Sequence, residues 1–138
     1  MTESAQHARL VKAILSLLEK HFGSLDDIMV RDDSLRPVRA ERPPKLPQYI
    51  PDVYATDVPT TQVIVGEAKT AKDLETARSH KQIASFLEYL AHTPNSLLIL
   101  AVPFDCKPRA RGLLRKLVPA HGTAPDTKVI DDLDLEQG

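Results

Sequence analysis

Two short stretches decide how this chain is read: Tyr49-Ile50-Pro51-Asp52, and Val63-Ile64-Val65-Gly66-Glu67-Ala68-Lys69-Thr70. Asp52, Glu67 and Lys69 are ionisable residues in or beside apolar, strand-like sequence, where an ordinary core has Val or Ile and a stranded charge is costly. Side chains on a strand alternate between its faces, so Glu67 and Lys69 project from one side while Ile64, Gly66 and Ala68 face the other. A carboxylate and an ammonium therefore share one small site.

Ile50 to Ala55 reads as a short strand and Gln62 to Ala68 as a strongly β-prone one, with turn-prone residues around Pro59 between them. Antiparallel pairing keeps the sum of paired residue numbers constant. A turn centred near Pro59-Thr60 thus sets Asp52 opposite Glu67, to within a residue or two.

The surrounding pattern alternates helix and strand. Ala8, Val11, Ile14, Leu15, Leu18 and Phe22 recur at helical steps over about Thr2 to His21, and Gly23 is a natural stop. Glu3 and Glu19 read as solvated helical glutamates. Ile28-Met29-Val30 opens a strand, but Pro37, Pro43, Pro44, Pro47 and Pro51 make residues 31–48 an irregular arm. Arg31, Arg36, Arg39, Arg42 and Lys45 lie along that arm, diluted by Asp32, Asp33 and Glu41, and serve either to track phosphates or to solubilise it.

After the hairpin, a helix is expected from about Lys72 to His92, with Leu74, Ala77, Ile83, Phe86, Leu87, Leu90 and Ala91 inward. Thr70 and Asp73 form a capping-box-like start. Leu97 to Val102 reads as a strand buried on both faces. A further helix spans Arg109 to Val118, with Leu113, Leu114, Leu117 and Val118 inward. Lys128-Val129-Ile130 adds an edge strand, and the acidic tail 131–138 is expected to fray or to cap a partner. The class is α/β: a central mixed sheet flanked by helices in the order αβββαβ.

Composition narrows the function. The 138 residues fit a single domain, too short for a catalytic domain plus a separate recognition domain, which points to a homodimer or a subunit of a larger complex. A formal net charge of −1 is no global signature of nucleic-acid binding, so an anionic partner must meet a local patch. The 4% aromatic content, with no Trp, argues against extended base-stacking platforms. Cys106 stands alone, excluding an internal disulfide and reading as a strand-end or loop thiol. His7, His21, His80, His92 and His121 lack zinc-ligand spacing. No stretch reads as a membrane span or signal peptide, and the expected compartment is cytoplasmic and reducing.

Two adjacent carboxylates raise each other's proton affinity unless a cation sits between them. Hard oxygen ligands without Cys or His favour Mg2+, with Mn2+ as a substitute, and the Ala68 carbonyl offers a further ligand beside Asp52 and Glu67. Hydrolysis of a phosphodiester needs charge shielding, a hydroxide near neutral pH and a stabilised transition state. Lys69 can orient or deprotonate the water, or stay charged and stabilise the developing negative charge.

Pro51-Asp52, a hairpin, then Glu67-Ala68-Lys69 at the end of an apolar strand, followed by a helix and a buried strand, resembles the PD-(D/E)XK nuclease superfamily over roughly residues 5 to 118. The resemblance implies a restriction-endonuclease-like core and Mg2+-dependent DNA hydrolysis in defence, repair or a mobile element. In it Asp52 and Glu67 are metal-binding carboxylates and Lys69 the catalytic lysine. Gln82, with Phe86 four residues on, resembles the Gln-x-x-x-Tyr motif of RecB-like and phage exonuclease-like members, with Phe in place of Tyr. Such a Gln helps to position the site or the DNA.

The compact size and Leu17-Leu18-Glu19-Lys20-His21 also resemble archaeal Holliday-junction resolvases. Those carry a metal-site glutamate earlier on the first helix, where this chain has Gln6, Arg9 or Val11. Arg78, His80 and Lys81 on the second expected helix, with Lys107, Arg109, Arg111, Arg115 and Lys116, contact phosphates if DNA lies across the hairpin ends, and otherwise form a solvated face. A reading of a different class is a nuclease-fold module that binds nucleic acid or scaffolds an assembly without cutting.

Overall fold

A computed structural model describes residues 5–22, 28–32, 43–46, 48–57, 62–119 and 124–135. Helix α1 (Ala5–Phe22) is followed by strands β1 (Ile28–Asp32), β2 (Val53–Asp57) and β3 (Val63–Ala68). Helix α2 (Ala77–Ala91), strand β4 (Ser96–Ala101), helix α3 (Lys107–Leu117) and strand β5 (Asp126–Ile130) complete the chain order. The sheet is mixed, in the order β1-β2-β3-β4-β5, antiparallel from β1 to β3 and parallel from β3 to β5. Among the described residues no helix is long and apolar enough to cross a membrane.

The connections explain the layers. β3-α2-β4 and β4-α3-β5 are crossovers between adjacent parallel strands progressing in the same direction, so their shared handedness places α2 and α3 on one face. Val65, Ile83, Phe86, Leu87, Leu90, Leu98, Leu100, Ala110 and Leu114 form the core there. Leu10, Ala13, Ile14 and Leu18 of α1 cover the opposite face with Val53, Ile64, Ala68 and Ile99. All six residues of β3 are buried, as a strand packed by helices on both sides must be.

Gly66 sets how closely α1 approaches. A Cβ there would stand 2.8 Å from Ile14 Cγ2 and 3.2 Å from Val53 Cβ. The helix can rest directly on β3 only because that side chain is missing. From Ile14, the seven residues back to His7 span about 10 Å. That length reaches the end of the strand.

Several expectations shift. β2 begins at Val53 rather than Ile50: Pro51 has no amide hydrogen, and the Asp52 amide donates to a side chain instead of a ladder carbonyl. The segment from 72 to 92 divides into a single 3-10 turn, Asp73–Glu75, and α2 from Ala77. Thr70 and Asp73 do make the reciprocal box, Thr70 N to Asp73 Oδ2 at 3.0 Å and Asp73 N to Thr70 Oγ1 at 3.2 Å, but it closes that turn. The α2 cap is Thr76, whose Oγ1 accepts from Ser79 N at 3.1 Å. Ala77 is consequently exposed and Ser79 buried.

Val118 is half exposed, because α3 ends at Leu117. The start of the acidic tail is folded rather than frayed: Asp131 is buried, and residues 132–135 form a turn packed against α1. Of the expected irregular arm, Arg31 and Asp32 belong to β1, and Leu46 is buried against α2, its carbonyl accepting from Ser85 Oγ at 3.3 Å. Residues 33–42, residues 58–61 where the turn is expected, and the last three residues lie outside the described residues.

Candidate functional site

The register pairs Val53 with Gly66, which sets Asp52 opposite Glu67 one step further. The two side chains meet where β2 begins and β3 ends. Asp52 N donates to Glu67 Oε1 at 3.0 Å, and Ala68 N donates to Asp52 Oδ2 at 2.8 Å. Each carboxylate thus replaces a carbonyl that the ladder no longer supplies. Ala68 is seen to contribute its amide to this site.

Glu67 is 2% exposed and Lys69 8%. Lys69 Nζ stands 3.4 Å from Glu67 Oε2 and donates to Gln82 Oε1 of α2 at 2.5 Å. Its amide donates to the Ala101 carbonyl of β4 at 2.9 Å, holding the residue at the sheet end after β3 proper has finished. The ammonium is therefore clamped between a carboxyl group on its own strand and an amide from the overlying helix.

Burial pushes the Glu67 carboxyl well above its usual range, and the negative charge of Asp52 adds to this against the opposing pull of Lys69. Asp52 differs. Burial alone would raise it, but hydrogen bonds from His7, Glu67 and the Ala68 amide, with the charge of His7, hold it below the usual value. The two carboxyl groups are thus driven apart, Glu67 toward its neutral form and Asp52 toward its ionised one.

Sequence reasoning missed His7. Its Nε2 lies 3.2 Å from Asp52 Oδ2, brought there by the close seating of α1 on Gly66. The available signal was its position, one helical step before Val11 and two before Ile14 on the stripe that faces the sheet. The alternatives Gln6 and Arg9 are exposed, and Val11 is core.

The basic residues divide by position. α2 and α3 both start at the sheet edge that carries Asp52, Glu67 and Lys69, so Arg78, Lys81, Lys107 and Arg109 lie toward that edge, whereas α3 carries Arg111 and Arg115 progressively away from it. Arg78 stacks over Tyr49 at 5.7 Å, and Tyr49 packs edge-on against Phe86, with centroids 6.5 Å apart. Lys107 pairs with Asp131 at 2.9 Å, and Arg109 reaches Glu75 at 3.5 Å and the Ala71 carbonyl at 3.4 Å. Cys106 is buried in the α2-α3 core, and that burial pushes its thiol up.

For a cation, the carboxyl groups of Asp52 and Glu67 offer oxygen donors side by side at this edge. Among the described residues, no group of three or more His, Cys, Asp or Glu is spaced to hold one. The carboxyl pair fits a hard divalent ion in its chemistry, since two adjacent oxygen-donor acids repel unless a cation lies between them. The chain matches no family model, no characterised protein and no solved structure.

Proposed function

We propose that this protein is a Mg2+-dependent nuclease of the PD-(D/E)XK type, hydrolysing DNA phosphodiester bonds at the end of β3 on a restriction-endonuclease-like core. One observation carries the reading: a carboxyl pair, buried Glu67 and partly buried Asp52, with the Lys69 ammonium 3.4 Å from Glu67 at the sheet end. A structural core has no use for three ionisable groups there, since an apolar set of the same volume is about as stable or more so.

Asp52 and Glu67 would hold the ion, with Mn2+ able to substitute. Bound there, it would shield phosphate charge and acidify a water. The chain's own residues do the rest. Both acids must be ionised to serve, and burial beside Asp52 works against that at Glu67. Lys69, fixed by Glu67 Oε2 and Gln82 Oε1, presents donor hydrogens to a phosphate oxygen or to the attacking water without first having to be ordered. Gln82 is a positioning residue acting through Lys69. His7 orients Asp52. Arg78, Lys81, Lys107 and Arg109 lie where phosphates flanking the cut would pass.

The test is cleavage of duplex, single-stranded and branched DNA with and without Mg2+. Glu67→Gln and Lys69→Ala are each expected to lower the rate by about 100-fold or more. Activity untouched by both substitutions overturns the site. A second reading, a non-catalytic module that binds nucleic acid or scaffolds a homodimer or larger complex, draws on the internal satisfaction of the carboxyl pair. It predicts binding that persists in chelator and no product in any condition.

A further inference from the structure

Among the described residues, the exposed large hydrophobic side chains are Ile50, Phe104, Val118 and Leu133. They are not scattered. β3, β4 and β5 are parallel and β2 is antiparallel to β3, so the start of β2 and the ends of the other three share one edge of the sheet. Ile50 precedes β2, Phe104 follows β4 and Leu133 follows β5. Three of the four thus lie toward the sheet edge that bears Asp52, Glu67 and Lys69.

Phe104 is the most exposed, at 60%, and the best anchored. Val102 and Cys106 on either side are buried, and Cys106 N donates to the Pro103 carbonyl at 2.8 Å, closing a tight turn. The turn leads into α3 on the sheet face where Lys69 meets Gln82. Ala101, whose carbonyl holds the Lys69 amide, is three residues earlier on the neighbouring strand, and Arg109 of the same α3 start touches Ala71. A phenyl ring is therefore held in water beside the site by buried neighbours.

Charge indicates what would cover it. The net charge is −1, and Lys107 and Arg109, in the first turn of α3 after Phe104, already face Asp131 and Glu75. Phosphate attraction alone is a weak grip here, so binding must draw on the bases. Resting on the nuclease reading above, we infer that Phe104 is a specificity-determining residue on which one unpaired nucleobase stacks beside the cut. A base within a duplex offers no free face to the ring, so the substrate is single-stranded, frayed or branched at that point.

The experiment measures binding in Mg2+ of single-stranded oligonucleotides, with an abasic residue walked along the strand, to the Glu67→Gln protein with Phe104 intact or changed to Ala, Leu or Trp. Cutting by the otherwise native chain is followed in parallel. Phe104→Ala is expected to weaken binding roughly tenfold, the scale of one stacked base, and Trp to restore it where Leu does not. One abasic position should cost the Phe104 protein similarly and the Ala protein nothing. Unchanged binding and cutting by Phe104→Ala, an equal loss on every oligonucleotide, full rescue by Leu, or a change only in sedimentation overturns the inference while leaving the nuclease reading intact. Absence of both binding and cutting by the native chain overturns both.

Discussion

Glu67 is the residue whose fold-stability and chemical roles conflict most. Its carboxyl holds a proton more tightly in the folded chain than in the unfolded one, because it is buried and faces Asp52. Above the ordinary value of 4.5, the unfolded chain has lost that proton while the folded chain keeps it, so stability falls as pH rises toward the raised folded value. Asp52 acts in the opposite sense: its contribution is present above 3.8 and is lost as pH falls through its lowered folded value. Urea melts across pH 3 to 9 should show Glu67→Gln removing the decline on the alkaline side and leaving the acid limb in place. An undiminished decline would assign it to another group. The same variant is expected to lose the proposed nuclease activity, so a stability gain and an activity loss should appear together in it. The sequence exposed this juxtaposition because paired strand numbers sum to a constant, and a turn near Pro59-Thr60 fixes the sum. It did not expose His7, since a helix stripe shows which face is inward but not where along the sheet the helix lies.

That position depends on the contact between α1 and β3. Gly66→Ala would drive a methyl to within 2.8 Å of Ile14 Cγ2, and is expected to cost about 1–3 kcal/mol in chemical denaturation. Ile14→Ala, which removes both Cγ2 and Cδ1 from the contact, should make the loss in the double variant smaller than the sum of the two single losses, whereas additive losses would mean that the clash is relieved elsewhere. The helix that follows has its own determinant. Thr76→Ala removes the α2 cap and is expected to cost about 1 kcal/mol, while Thr70→Ala breaks only the box closing the preceding turn and should leave the helicity of α2 unchanged by circular dichroism. In the sequence these two caps were indistinguishable. Both Thr70-x-x-Asp73 and Thr76-x-x-Ser79 precede apolar helical spacing, and only the 3-10 turn between them, which buries Leu74, decides which one starts α2. The mixed sheet with flanking helices was legible because the strand runs and helix stripes are long and regular.

The folded tail joins the two faces of the molecule. Asp131 leaves the end of β5, accepts from Leu133 N at 2.9 Å and pairs with Lys107 of α3 on one face, while Asp132 approaches Arg9 of α1 on the other at 3.9 Å. An acidic run read in isolation is a solvated tail; what folds this one is a pair of cations on helices distant in sequence, which no local pattern shows. The two bridges differ in environment, and so in worth. Asp131 is 10% exposed in its side chain and Lys107 25%, so removing the carboxylate leaves a partly buried ammonium and the Leu133 amide short of an acceptor. Arg9 is half exposed, where solvent screens such a pair. Asp131→Ala is therefore expected to cost about 1–3 kcal/mol in urea denaturation, and Arg9→Ala less than about 0.5 kcal/mol. Because α1 carries His7 to Asp52, Asp131→Ala should also hasten amide hydrogen exchange in the first turns of α1, ahead of global unfolding. Equal costs for the two variants, or exchange in α1 that follows global stability alone, would show that the tail lies on the fold without bracing it.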